Sequence, residues 1–152
     1  MRGMRLRNLP PRLTTGGYIF HSGLEKWSAG PEQAEGMHGM AAGTFPVLQK
    51  VPPPTFVKAL AAAEMATGAL LLAPMVSPVK AGAVLTAFSA GLLTMYARTP
   101  GMRQPGSIWP TQDGIGLAKD VWMAGIGAGL VLGGLTDDAR GLAKDAKKAL
   151  TS

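Results

Sequence analysis

The chain has no cysteine among its 152 residues. This absence excludes disulfides, thiolate nucleophiles and cysteine-ligated metals. Charged residues are also scarce: they make up 16% of the chain, against roughly 25% in an average soluble domain. The scarcity is local, because no charge occurs in the 17 residues from Ala81 to Ala97 or in the 15 from Val121 to Leu135. The mean hydropathy of +0.17 averages these runs with polar ends and loops. The uncharged runs predict helices that lie in a lipid bilayer.

Four segments approach the roughly 20 residues that a helix needs to cross a bilayer. They are predicted at about 11–27, 55–73, 77–98 and 113–135, with prolines near several of their ends. Backbone groups in lipid must be hydrogen-bonded within their own segment, which favours helices over isolated strands. The predicted fold is all-α: an integral membrane four-helix bundle, with an outer loop between the first two spans and a short polar C-terminal tail.

The four spans form one domain, at 11–135, between a basic N-terminal segment (1–10) and a basic C-terminal tail (136–152). Nine Lys and Arg residues fall on the side that holds both chain ends, and six fall on the other side. Because cytoplasmic loops carry an excess of Lys and Arg, both termini are predicted to be cytoplasmic. The outer loop, at 28–54, is long enough to contain a surface helix at 32–42.

The net charge of +6 raises the question of a nucleic-acid partner. The positive residues lie at the chain ends and between apolar runs, not in a stripe interleaved with aromatic residues. This distribution indicates the lipid bilayer as the partner and argues against nucleic acid.

Ionisable residues inside predicted spans are the candidate functional groups, because burying them in lipid is costly. Glu64 lies near the middle of the second span, and Asp120 lies in the fourth. On the first span, Tyr18 and His21 share a helical face. At 1.5 Å per residue, His21, Glu64 and Asp120 would lie at comparable depth, ~9–13 Å from the outer ends of their spans. The sequence therefore predicts a polar cluster in the outer half of the bundle.

Two interpretations of this cluster remain open. In the first, the cluster handles protons or faces a quinone. In the second, Glu64 and His21 only bind each other and fix the helix register.

A metal site is not predicted, because the single Glu35-x-x-His38 pair lacks the second copy and the further carboxylates of a di-iron bundle. No nucleophile, base and oxyanion-stabilising set can be assembled, so a self-sufficient hydrolase or transferase is disfavoured and catalytic residues stay unassigned.

Small residues repeat every fourth position on the last span, at Gly125, Gly129 and Gly133. Such residues let helix backbones approach each other closely in lipid. The repeat predicts helix packing within the bundle, with a homo-oligomer contact as the alternative.

Several of these features resemble the DoxX/DoxD-like family of small bacterial membrane proteins. They are an arginine and glycines in the first span (Arg12, Gly16, Gly17), the loop stretch Gly43-Thr44-Phe45-Pro46, and a second span of the form Ala62-Ala63-Glu64-x-x-x-Gly68-x-Leu70-Leu71. The resemblance covers about 12–135 and implies a four-helix bundle in the inner membrane of a bacterial cell, linked to membrane redox systems. It also implies that Glu64 is the acidic position of the second span and Lys26 the basic position after the first span, so Lys26 joins the predicted cluster.

The function predicted from the residues and the resemblance is that of an accessory subunit of a quinone-linked membrane redox system, with redox proteins of the membrane as partners. The alternative is a non-enzymatic membrane scaffold that binds partners through its outer loop and small-residue faces. No cofactor is evident from the residues themselves, and quinone is the one that the predicted cluster suggests. A solute or proton permease is less favoured, because the bundle is small and has few polar residues that could line a pore.

Overall fold

The computed structural model describes residues 5–151, and within them all regular structure is helical. Residues 1–4, which include Arg2 of the predicted basic segment, and residue 152 lie outside the described part. Short 3₁₀ turns precede the first helix and link the second to the third. The helices are α1 (Leu9–Trp27), α2 (Pro31–Thr44), α3 (Pro53–Leu72), α4 (Pro78–Arg98), α5 (Ile115–Ala118) and α6 (Val121–Leu150).

Prolines set several of these boundaries. Proline lacks a backbone N–H and has a fixed φ, so it fits the first turn of a helix, where that N–H would have no helical partner. Pro53 and Pro78 stand at the first positions of α3 and α4. Ser77 also caps α4, because its side chain accepts a hydrogen bond from the Lys80 amide at 3.3 Å. The predicted ends of these two spans are therefore correct to within two residues.

The fourth predicted span differs from the structure at both ends. It begins with a separate short helix, α5, whose N-cap position is Gly114. At its other end α6 continues without a break through the predicted tail, to Leu150. The change from apolar to polar residues near Asp137 leaves helical propensity intact, since Ala, Lys and Leu are all good helix formers.

Three helical segments among residues 5–151 are long and apolar enough to cross a membrane: Pro53–Leu72, Pro78–Arg98 and Ile115–Leu150, the last comprising α5 and α6. The 19-residue α1 is not one of the three. Its face carries Thr14, Tyr18, His21 and Glu25, and these lower its apolar content.

The helices pack mainly as two pairs, α1 with α3 and α4 with α6. Glycines bring each pair together. A Cβ on Gly68 would lie 2.7 Å from the carbonyl oxygen of Gly16, and a Cβ on Gly82 would lie 2.5 Å from that of Gly127. The pairs share a small apolar core, formed by Ile19, Leu71, Ala81, Leu85 and Leu130.

The packing face of α6 is not the one that the sequence predicts. A Cβ on Gly125 or Gly129 would meet nothing within 4 Å, and one on Gly133 would meet only the Arg7 side chain. The contact with α4 instead uses Gly127 and Gly134, which are two and one positions away from the predicted repeat. Since neighbouring residues on a helix point about 100° apart, the predicted stripe faces away from α4. The prediction of packing within the bundle through Gly125, Gly129 and Gly133 is therefore wrong.

A buried arginine closes the end of the molecule where α3 turns into α4. Arg12, on α1, has no solvent exposure. Its guanidinium donates to the carbonyl oxygens of Leu70, Leu71, Ala73 and Val76, at 2.6–3.1 Å. The last carbonyls of a helix lack helical donors and carry the negative end of the helix dipole. Arg12 satisfies those of α3 and ties α1 to the turn after it.

Candidate functional site

A cavity of about 660 Å³ lies between the two helix pairs. Its lining includes Tyr18, Ser22, Lys26, Glu64, Lys119 and Asp120, and we call it the Glu64 cavity. Helix α2 contributes one side, through Gln33, Met37 and Met40. The volume falls within the roughly 300–1,000 Å³ typical of sites for small molecules and cofactors.

The walls of the cavity are mainly apolar. They consist of aromatic, leucine and methionine side chains from α3, α4 and α6, among them Phe56, Leu60, Phe88, Leu92, Met95 and Met123. Methionine side chains are flexible and polarizable, so they adapt to ligands of different shape. An apolar cavity with a few polar groups suits a mainly apolar ligand that carries a polar head.

An ion pair supplies the main polar contact. Lys26 Nζ lies 3.0 Å from Glu64 Oε2, and it also donates to Ser22 Oγ at 2.7 Å. The Glu64 side chain is 8% exposed and that of Lys26 is 23% exposed. A carboxylate at this depth is costly unless it is paired, so Lys26 makes the burial of Glu64 tolerable.

The second carboxylate oxygen of Glu64 is available to a ligand. Within residues 5–151, no protein group donates a hydrogen bond to Oε1, while the residue lines the cavity. Lys119 and Asp120, at the junction of α5 and α6, add a second pair of opposite charges to the lining. The site therefore presents both hydrogen-bond donors and acceptors beside apolar walls.

The structure brings together only part of the cluster predicted from the sequence. Glu64, Lys26 and Asp120 line the same cavity, and Tyr18 lies at its edge with 71% exposure. His21 points away from it: its side chain is 71% exposed and faces Glu25, with 3.8 Å between Nδ1 and Oε1. The predicted contact between His21 and Glu64 is therefore wrong. Because Gly16 and Gly23 fix which face of α1 meets α3, His21 lies on the opposite side.

Sequence reasoning missed Ser22 and the buried role of Arg12. A signal for Arg12 was present: Arg12, Gly16, Ile19 and Gly23 follow each other at spacings of four, three and four residues. That spacing marks one face of a helix, and it is the face that the structure buries.

The described residues show no group of three or more His, Cys, Asp or Glu side chains that could hold a metal. His38 of the Glu35-x-x-His38 pair instead donates from Nε2 to the carbonyl oxygen of Leu48, at 2.9 Å, and stacks edge-on against Phe56. In the structure His38 thus helps to fasten α2 to the start of α3.

Comparison with known proteins gives no match: no family model, curated protein or solved structure matches this chain. The resemblance to the DoxX/DoxD-like family stays a prediction. The cavity and its ion pair are thus the observations on which function rests.

Proposed function

We propose that the protein is a four-span accessory subunit of a quinone-linked membrane redox system, similar in kind to the DoxX-like proteins, and that it binds a quinone in the Glu64 cavity. The carrying observation is a cavity of about 660 Å³ that combines apolar walls with the buried Lys26–Glu64 pair. The partners in this proposal are the bilayer and redox proteins of a bacterial inner membrane.

The four-span arrangement is supported by how α1 packs. Helix α1 lies along α3 over most of its length: Arg12 donates to the carbonyl oxygen of Leu71, Gly16 and Gly23 make close approaches, and the carbonyl oxygen of Trp27 accepts from Lys58. Since α3 is long and apolar enough to cross a membrane, a helix packed along it crosses with it. The polar face of α1 is then covered by neighbouring protein or lies near the headgroups.

The orientation gives the first testable prediction. With both termini in the cytoplasm, single cysteines at the exposed positions Ser28 and Gln104 should react with an impermeant maleimide on intact cells, whereas one at Thr151 should react only after lysis. The native chain has no cysteine, so the unsubstituted protein measures the background of maleimide labelling. Labelling of Thr151→Cys alone on intact cells would reverse the orientation.

The lining of the cavity fits a quinone in size and in chemistry. The Lys26 ammonium can donate to a ring carbonyl, and Glu64 Oε1 can accept from a ring hydroxyl. The aromatic and methionine side chains can contact the ring and the start of an isoprenoid tail. A quinone bound there would supply two-electron, two-proton redox chemistry, since its reduction to the quinol takes up two electrons and two protons. The residues of this chain would bind and orient it, through the Lys26–Glu64 pair and the apolar walls of the cavity.

The second prediction tests this binding. Full-length protein in nanodiscs should bind a short-tailed ubiquinone or menaquinone analogue, measured by titration calorimetry. Glu64→Gln should weaken binding of the reduced form of the analogue, the quinol, by about tenfold or more, because it removes a charge-assisted contact to a ring hydroxyl worth about 1.5–3 kcal/mol. Leu60→Trp should weaken binding by filling the cavity. The double variant Lys26→Gln/Glu64→Gln removes both charges and leaves neither unpaired, so it separates loss of binding from loss of folding.

The matched control is Glu25→Gln, which removes a carboxylate from an exposed position next to the same region of α1. It should bind like the parent. Host membranes provide the second readout: quinone-dependent oxygen uptake, normalised to protein abundance, should fall with Glu64→Gln and not with Glu25→Gln. Equal quinol affinity in the parent, Glu64→Gln and Leu60→Trp, or no binding at all, would favour the alternative of a non-enzymatic scaffold.

A further inference from the structure

A second cavity, of about 280 Å³, lies where the segment before α1 meets the polar part of α6. It is lined by Arg5 and by Asp137, Arg140, Gly141 and Lys144 of α6, and we call it the Arg140 cavity. Three of these five residues are positively charged and one is negative. Nothing in the proposed quinone-linked function uses this site, which is lined by none of the residues of the Glu64 cavity.

Asp137 organises the arginines around this cavity. One of its oxygens lies 2.9 Å from Arg5 Nη1, and the other accepts from Arg7 Nη2 at 2.5 Å. Arg7 also donates to the carbonyl oxygen of Gly133 at 3.2 Å. Only 10% of the Asp137 side chain is exposed, while the two arginines are about half exposed. Each guanidinium has five N–H donors, so both retain donors beyond those that Asp137 and Gly133 occupy.

The other two cations have no such neutralising partner. Within residues 5–151, neither Arg140 nor Lys144 forms an ion pair. The cavity therefore keeps an excess of positive charge after Asp137 has been counted. Arginine and lysine donors that converge on a small concave surface bind phosphate oxygens well, and arginine can do so with two parallel hydrogen bonds.

The position of the cavity indicates where its anion comes from. The apolar run of α6 ends at Leu135, two residues before Asp137. In a membrane-spanning α6 this is the boundary between hydrocarbon and headgroups, and basic pockets at this boundary bind the headgroups of anionic lipids. We propose that the Arg140 cavity binds the phosphate of an anionic glycerophospholipid from the leaflet at this end of the bundle. A zwitterionic lipid is disfavoured, because its quaternary ammonium would be repelled by the same side chains.

Native mass spectrometry of the full-length protein released from detergent tests this proposal. The probes are phosphatidylglycerol and phosphatidylcholine with the same acyl chains, each titrated separately. We expect phosphatidylglycerol to be retained at lower concentration. The variant Arg140→Gln/Lys144→Gln should weaken its binding roughly tenfold, since each basic group near a membrane surface contributes on the order of a fewfold in affinity. Both side chains are exposed, so the variant should fold like the parent.

The matched control is Lys147→Gln/Lys148→Gln, which makes the same charge change on the same helix outside the cavity. It should retain phosphatidylglycerol like the parent. The proposal is overturned if both double variants weaken binding equally, because the attraction would then be diffuse, or if the two lipids bind alike. A third arm uses inorganic phosphate alone: displacement of phosphatidylglycerol by millimolar phosphate would assign the site to the free anion and overturn the lipid proposal.

Discussion

Arg12→Ala is expected to destabilise the folded protein by about 3–6 kcal/mol. The guanidinium donates to four carbonyl oxygens and is fully buried. Alanine would leave the last carbonyls of α3 without these donors and would leave a cavity where the side chain was. Each unsatisfied buried polar group costs about 1–3 kcal/mol, and the lost packing adds to this cost.

Thermal unfolding in detergent, followed by size-exclusion chromatography with fluorescence detection, measures this effect. Arg12→Lys should recover only part of the stability, because a single ammonium cannot reproduce the planar fork of donors. Arg98→Ala is the control, since Arg98 is exposed at the end of α4 and exposed substitutions usually change stability by less than about 0.5 kcal/mol. If Arg12→Ala melted with the parent and with Arg98→Ala, the carbonyl contacts would carry little of the stability.

Gly127→Leu is expected to disrupt the α4–α6 pair, whereas Gly129→Leu is expected to be nearly silent. A Cβ on Gly127 would overlap Thr86 Oγ1 and would lie 2.9 Å from both the carbonyl oxygen of Gly82 and the amide nitrogen of Thr86. Two of these atoms are backbone, so the helices themselves must separate. Overpacking typically costs about 1–3 kcal/mol, and we expect the upper end because little can move aside.

The two substitutions are matched, because they add the same side chain to the same helix two residues apart. A Cβ on Gly129 meets nothing within 4 Å. Membrane yield and melting temperature should therefore fall for Gly127→Leu and stay unchanged for Gly129→Leu. Equal loss of stability in both variants would contradict the close approach of α4 and α6 at Gly127. A change in oligomeric state limited to Gly129→Leu would support the homo-oligomer alternative for the stripe of Gly125, Gly129 and Gly133.

Features that depend on local chemistry could be predicted from the sequence. The starts of α3 and α4 follow from Pro53 and Pro78, because proline restricts its own backbone whatever lies around it. The surface helix predicted at 32–42 is present as α2, which Pro31 begins. The end of α6 could not be predicted in this way. The change from apolar to polar residues near Asp137 marks where the environment of the helix changes. The helix itself continues, because the polar residues that follow also favour helix.

Features that depend on a distant partner could not be predicted. Each glycine on α6 has the same local chemistry, and only the position of Gly82 on α4 selects Gly127 over Gly129. Likewise, His21 and Lys26 both lie on α1, at positions along the helix from which a side chain could contact Glu64. The rotation of α1 about its own axis, which its contact with α3 fixes, directs Lys26 to the carboxylate and His21 outwards. Depth along a helix can be counted from the sequence, whereas rotation about its axis is set by the neighbouring helix.

The division of the molecule into two helix pairs has a mechanical consequence. The pairs are joined through the short turn between α3 and α4, where Arg12 and the shared core lie, while the Glu64 cavity separates them further along. A small change in the angle between the pairs alters the width of the cavity and leaves the glycine contacts within each pair unchanged. We therefore expect the volume offered to a ligand to change with the lateral pressure and thickness of a surrounding bilayer, as well as with the side chains that line the cavity.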